Sequence, residues 1–183
     1  MNRFSVYLVA GILMPVAAAA QSDQDALAKA AGGFYGVYMT LHPSDGIPDA
    51  RTRAKFAPYV SPALEQLFVA GEEAEQRYDA ATKHQSPPLI EGDPFTPNFE
   101  GATAFKIGAC QSDAKGGHCA VALIYDDRKD KQLGWTDIVY LVRTPQGFRV
   151  DDIAYGGNAD FGNKGRLTDT LRGAIEAGNA FAK

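Results

Sequence analysis

Carboxylates are the residues of this chain best equipped for chemistry. Glu91 and Asp93 fall in a stretch with neither helical nor alternating periodicity, and Asp151 and Asp152 lie together on a β-rich run nearer the C-terminus. A carboxyl group held in a desolvated cavity has a raised pKa and can act as a general base, with a tyrosine hydroxyl as the acid. Adjacent strand residues point to opposite faces, so at most one of Asp151 and Asp152 can look into a core. Structural work suits the same groups: hydrogen bonds to the backbone amides of residues 91–95, or an ion pair with Arg143 or Arg149. Buried polar groups are almost always bonded, and that favours the structural role.

Other chemistries find less support. His42, His84 and His118 are scattered without paired spacing, so no metal site is expected. Glu91 and Asp93 lack the regular oxygen-ligand spacing of a calcium loop. No serine sits in a Gly-x-Ser-x-Gly turn. Gly116-Gly117 and Gly156-Gly157 follow strands without opening phosphate-binding helices, and no cofactor is expected. The remaining candidates are aromatic. Inward-turned tyrosines beside the lone Trp135, with Tyr155 among them, suit a pocket lining as well as a core.

Compartment and class follow from the first residues, the cysteines and the charge. Arg3, an apolar run over residues 4–16 and four consecutive alanines, Ala17 to Ala20, read as a secretory signal cut after Ala20. The run is shorter than the roughly 20 apolar residues of a membrane span. No cysteine lies near the cut to carry a lipid, so residues 21–183 are expected as one soluble domain, periplasmic or secreted. Cys110 and Cys119 are the two cysteines of the chain. In an oxidising compartment they read as a disulfide, since Cys-x-x-Cys redox spacing is absent. The net charge of −4 argues against a nucleic-acid partner, which requires a basic surface.

The elements that must position these groups are legible from periodicity. Leu27, Ala30, Phe34, Val37 and Leu41 mark a helical face over residues 25–41. Ser61-Pro62 pairs a good N-cap with proline at the first helical position, and Leu64, Leu67, Phe68, Gly71, Ala74 and Tyr78 give the inward face that follows. A short helix over residues 53–59 precedes it. Residues 86–101, rich in proline, glycine and acid, read as an ordered coil. Beyond it the period becomes two, with strands near residues 105–109, 119–126, 134–144 and 147–155. Asp113 to Gly117 closes the first hairpin, a charged loop over residues 126–131 joins the middle strands, and Thr144-Pro145-Gln146-Gly147 closes the last hairpin. If Cys110 faces Cys119, simple pairing sets Phe105 opposite Ile124 and Ile107 opposite Ala122. A final helix covers residues 167–182. The sum is an α+β fold, N-terminal helices and a C-terminal helix packed on a curved four-stranded antiparallel sheet.

Several short motifs carry a resemblance. They are Pro87-Pro88-Leu89, Glu91-Gly92-Asp93-Pro94-Phe95, Phe99-Glu100-Gly101, Trp135-Thr136-Asp137, Arg149-Val150-Asp151-Asp152-Ile153 with Tyr155, and Phe161-Gly162-Asn163-Lys164-Gly165. Together they resemble an uncharacterised family of bacterial exported proteins, a domain of unknown function of the 3828-type. The pattern is also similar to the nuclear-transport-factor-2-like superfamily, whose helices and curved sheet form a cone. That resemblance implies the cone and no particular reaction, because the superfold hosts enzymes and binding domains alike. The Asp-His and Asp-Tyr pairs of its enzymes have no matching positions here. The expectation is therefore an exported, non-catalytic binding or protein-interaction module. Its partner would be a small ligand, an envelope component or a protein, including a toxin for which it serves as immunity protein. The alternative is a small hydrolase or isomerase in the mouth of the cone, with Asp151 or Asp152 as base and a tyrosine as acid.

Overall fold

A computed structural model describes residues 15–43, 46–128, 132–157 and 162–181. In these, four helices and four strands follow in the order α1 (Pro15–Leu41), α2 (Ala50–Phe56), α3 (Pro62–Ala81), β1 (Ala104–Ser112), β2 (Gly116–Asp126), β3 (Gln132–Thr144), β4 (Gly147–Ala154) and α4 (Leu167–Asn179). The strands form one antiparallel sheet in sequence order. The architecture is α+β, with helices flanking a four-stranded antiparallel sheet. Most of the expected leader lies outside the described residues, and the expected cut after Ala20 falls within α1. Among the described residues no helix is long and apolar enough to cross a membrane.

α1 starts ten residues earlier than its apolar spacing marks, because alanines 17–20 are the strongest helix formers and no breaker separates them from residue 25. Its buried face is Leu27, Ala31, Phe34, Tyr35 and Tyr38. Ala30 and Val37 are half-buried and Leu41 is exposed, so the face is turned toward the tyrosines relative to expectation. α1 lies across all four strands. α2 begins before the expected position, capped by Asp49, whose Oδ1 accepts from Thr52 N at 2.7 Å. α3 has the expected cap: Ser61 Oγ accepts from Leu64 N at 3.0 Å, with Pro62 at the first helical position.

Cys110 does face Cys119, and the two form a disulfide across β1 and β2 with a Cα–Cα distance of 4.1 Å. The expected register fails beyond it. A bulge between Ile107 and Cys110 slips the pairing by one, so Phe105 opposes Leu123 and Ile107 opposes Val121. The slip has a physical reason. Phe105 and Ile107 then share the buried face with Cys119, Val121 and Leu123, while Lys106 and Ala122 face solvent together. Unslipped pairing would set Phe105 opposite the exposed Ile124. The first turn is held by Asp113, whose Oδ1 accepts from Lys115 N at 2.7 Å and Gly116 N at 2.9 Å. Residues 129–131 of the charged loop lie outside the described residues. Thr144 pairs with Gly147 across the last turn.

Phe95 is the centre of the core, although it sits in the periodless coil. Its ring centroid lies 5.4 Å from Phe34, 5.1 Å from Phe56 and 5.7 Å from Phe68. Such pairs contribute about 0.5–1.5 kcal/mol each beyond their buried area. The disulfide is the feature most readily tested for stability. Replacing both cysteines by serine should cost about 2.7 kcal/mol in the chain-entropy account. A thermal melt of C110S/C119S should then show Tm lower by roughly 5–10 °C; an unchanged Tm would refute a stabilising role.

Candidate functional site

The coil after α3 is built around one carboxyl group. Asp93 is 1% exposed. Its Oδ1 accepts from Phe95 N at 2.7 Å, a local turn that aims the Phe95 ring inward. Its Oδ2 accepts from the Tyr38 hydroxyl of α1, and that hydroxyl in turn accepts from Ala102 N at 2.7 Å. The backbone completes the closure, with Asp93 N donating to Phe99 O at 3.1 Å and Gly101 N to Asn98 O at 2.9 Å. Gly101 has φ +79°, and a Cβ there would lie 2.5 Å from Asp93 Oδ2 and 2.6 Å from the Tyr38 oxygen. No larger residue fits that corner. Asn163 and Tyr155 fasten the coil from the C-terminal side: Asn163 Nδ2 donates to Asp93 O and Thr96 O, and the Tyr155 hydroxyl donates to Pro94 O at 2.6 Å.

A second carboxyl group sits beside this knot. Asp137 is fully buried on the inward face of β3, in the alternating row Trp135, Asp137, Val139, Leu141. Gly156 N donates to its Oδ1 at 2.7 Å. Its Oδ2, the Trp135 indole nitrogen and the Tyr35 hydroxyl are buried without a hydrogen-bond partner. The Trp135 N–H is near enough to lower the Asp137 pKa yet stands outside hydrogen-bond geometry. Burial pushes Asp93 and Asp137 each up to about 7, and the charge of Asp137 adds to the rise at Asp93. Burial also raises the Tyr35, Tyr38 and Tyr155 hydroxyls far above their ordinary range, with Asp93 and Asp137 contributing at both Tyr35 and Tyr155. The two acids and three tyrosines thus form one electrostatic cluster beneath α1.

Of the six positions singled out from sequence, the structure brings Asp93, Trp135 and Tyr155 into this cluster and leaves three elsewhere. Glu91 is exposed. Asp151 accepts from Ser61 Oγ at 2.5 Å, tying β4 to the start of α3. Asp152 caps α4 from outside: the N-cap residue Arg166 supplies no side-chain bond, and Asp152 accepts from Thr168 N at 3.1 Å, Thr168 Oγ1 at 3.2 Å and Arg166 Nη1 at 3.0 Å. The bonded partners of these two acids are therefore Ser61, Thr168, Arg166 and, for Asp152, the adjacent Ile153 amide. They differ from the coil amides and from Arg143 and Arg149, the partners anticipated from sequence. Tyr35, Tyr38 and Asp137 are the cluster members not singled out. The signal for Asp137 was present, as a carboxylate in step with Trp135 on an otherwise apolar alternating row.

The cluster can hold protons near neutral pH, but it is closed. Asp137 and Tyr35 have no exposed surface. One cleft of about 540 Å³ borders the coil, lined by Ile90, Glu91, Phe99 and Asn163, and neither the two acids nor the three tyrosines of the cluster line it. Among the described residues no group of three or more His, Cys, Asp or Glu is placed to hold a metal ion. No family model matches the chain, and no curated protein or solved structure does either.

Two outcomes follow. Each buried acid takes up its proton more readily folded than unfolded, so its contribution to stability is full below pH 4, falls as pH rises through 7, and is spent above about 8. For Asp137 alone the difference is about 4 kcal/mol. Tm should fall by roughly 10 °C between pH 5 and pH 8, and Asp137→Asn, which mimics the protonated acid, should flatten that slope. A Tm that rises over this interval would contradict the assignment. Separately, Asp152→Ala should lower stability by about 2 kcal/mol in urea melts, because it uncaps α4 and strands the Thr168 amide.

Proposed function

We propose that this chain is an exported, non-catalytic binding or protein-interaction module. One observation carries the reading. Three of the acids read from sequence as candidate bases are committed elsewhere: Asp93 to Tyr38 and Phe95, Asp151 to Ser61, Asp152 to Thr168 and Arg166. A catalytic group must come within about 3 Å of the proton it moves, or one water away, and these acids are held by partners inside the fold. The disulfide and the lack of a membrane-spanning helix among the described residues agree with export. The resemblance to exported domains of unknown function and to the nuclear-transport-factor-2-like cone points the same way.

Asp137 supports a second reading. Its unpartnered Oδ2 and its pKa raised to about 7 would suit a general base in a hydrolase or isomerase, provided the closed cluster opened to a substrate. A panel of generic ester, phosphoester, glycoside and ketone substrates separates the two. The binding reading expects no turnover above buffer from the wild type. Turnover that is present in the wild type and lost in Asp137→Asn would overturn it. Fractionation of cells carrying the full chain tests export, with the protein expected outside the cytoplasm and a cytoplasmic location refuting it.

A further inference from the structure

Two clefts, of about 450 and 490 Å³, lie along α1, and residues 143–149 of the β3–β4 hairpin line the second together with the helix. Tyr59 lines both, and its ring rests on α1 at Gly33, where a Cβ would lie 2.1 Å from Tyr59 Cε1. One cleft runs past Gly36 and Val37 to Leu41; the other runs back past Ala30 and Ala26 to Ser22. From Ser22 to Leu41 the helix rises roughly 28 Å. That length exceeds a small metabolite and suits an extended segment of about eight residues at 3.4 Å each.

The rim is one-sided in charge. Lys55 borders the first cleft, and Lys29, Arg143 and Arg149 border the second. The acid among them, Asp23, is paired with Arg143 at 2.6 Å. Lys29 and Lys55 make no ion pair among the described residues, and the Arg149 guanidinium donates to the Phe148 carbonyl. In a chain of net charge −4, such a cluster stands out against the whole-molecule field. The floor is small and apolar, and a Cβ added at Gly36 meets nothing within 4 Å.

We propose that this groove along α1 receives an acidic segment of a partner polypeptide, with apolar side chains seated on either side of Tyr59 and carboxylates meeting Lys29, Lys55 and Arg149. The proposal rests on the binding-module reading and gives it a place and a partner class. Rim charges of this kind act chiefly through encounter and salt dependence, while the apolar anchors hold the complex.

Fluorescence anisotropy with a labelled Glu-rich peptide carrying Leu at alternate positions, the spacing of an extended chain, and with its Lys-for-Glu counterpart, tests the groove on the full chain. The acidic peptide should bind, more weakly as salt rises, and the basic one should not. K55E/R149E should weaken binding by about tenfold or more. Gly36→Leu should block the cleft while leaving Tm unchanged or higher, since the position is open and glycine disfavours helix. Binding that ignores both variants would place the peptide elsewhere: the groove falls and the binding-module reading stands. Wild type that binds neither peptide, or both alike, overturns the groove proposal. Adsorption to phosphatidylglycerol vesicles without peptide binding would assign the cations to a lipid surface and overturn it as well. Turnover lost in Asp137→Asn is the separate result that removes the parent reading.

Discussion

A single buried bond, from the Tyr38 hydroxyl to the Asp93 carboxyl, joins the parts of this protein that have no other reason to meet. α1 is a helix read from its own periodicity; residues 86–101 have none. The bond fixes the coil against the helix. From that point the Phe95 ring is delivered to Phe34, Phe56 and Phe68, and the Ala102 amide finds its acceptor just before β1 begins. A coil buried over residues 92–98 would otherwise carry unsatisfied backbone groups. Here Asp93, Asn98 and Asn163 answer those groups one by one.

The solution is electrostatically unusual. Buried carboxylates are ordinarily paired with a cation. The bonds given to Asp93 and Asp137 come from hydroxyl and amide donors, whereas the buried cation Arg53 is spent on Glu65 and Glu72. Proton binding takes the place of a counter-charge. Three unpartnered polar atoms at Tyr35, Trp135 and Asp137 belong to the same arrangement, each costing about 1–3 kcal/mol if left dry. The core thus holds a concentration of polar strain at the end of the sheet where Trp135 and Tyr155 meet the coil.

Much of this fold could be read from residue order, and the failures have definite causes. Ser61-Pro62 marks the start of α3 because capping chemistry is local. The hairpin carrying the disulfide is legible because Asp113 and the two glycines at 116 and 117 specify a turn. Its register is not, since a bulge at residues 108–109 answers to which side chains the opposite strand buries. The same limit governs the acids. Asp151 and Asp152 attract notice as a pair, but a second irregularity in β4, between its pairings with Tyr140 and Leu141, and the arrival of α3 and α4 decide that both bond outward. Asp137 was legible by alternation alone. Tyr38 required knowing that the coil returns to α1, which no local pattern reveals.

The sheet has two open edges, and the chain treats them differently. Along β4, Val60 and Arg166 form bridges to Val150 and Ala154, so its free backbone groups are partly taken. Along β1 the protection is covalent and geometric: the Cys110–Cys119 bond pins the strand to its neighbour and the adjoining bulge breaks the straight row of donors and acceptors. Unprotected edges are templates for strands from other molecules. Both edges therefore offer a strand from another molecule fewer free, regularly spaced backbone groups than a bare edge would, one by bridging and the other by a covalent pin and a break in register.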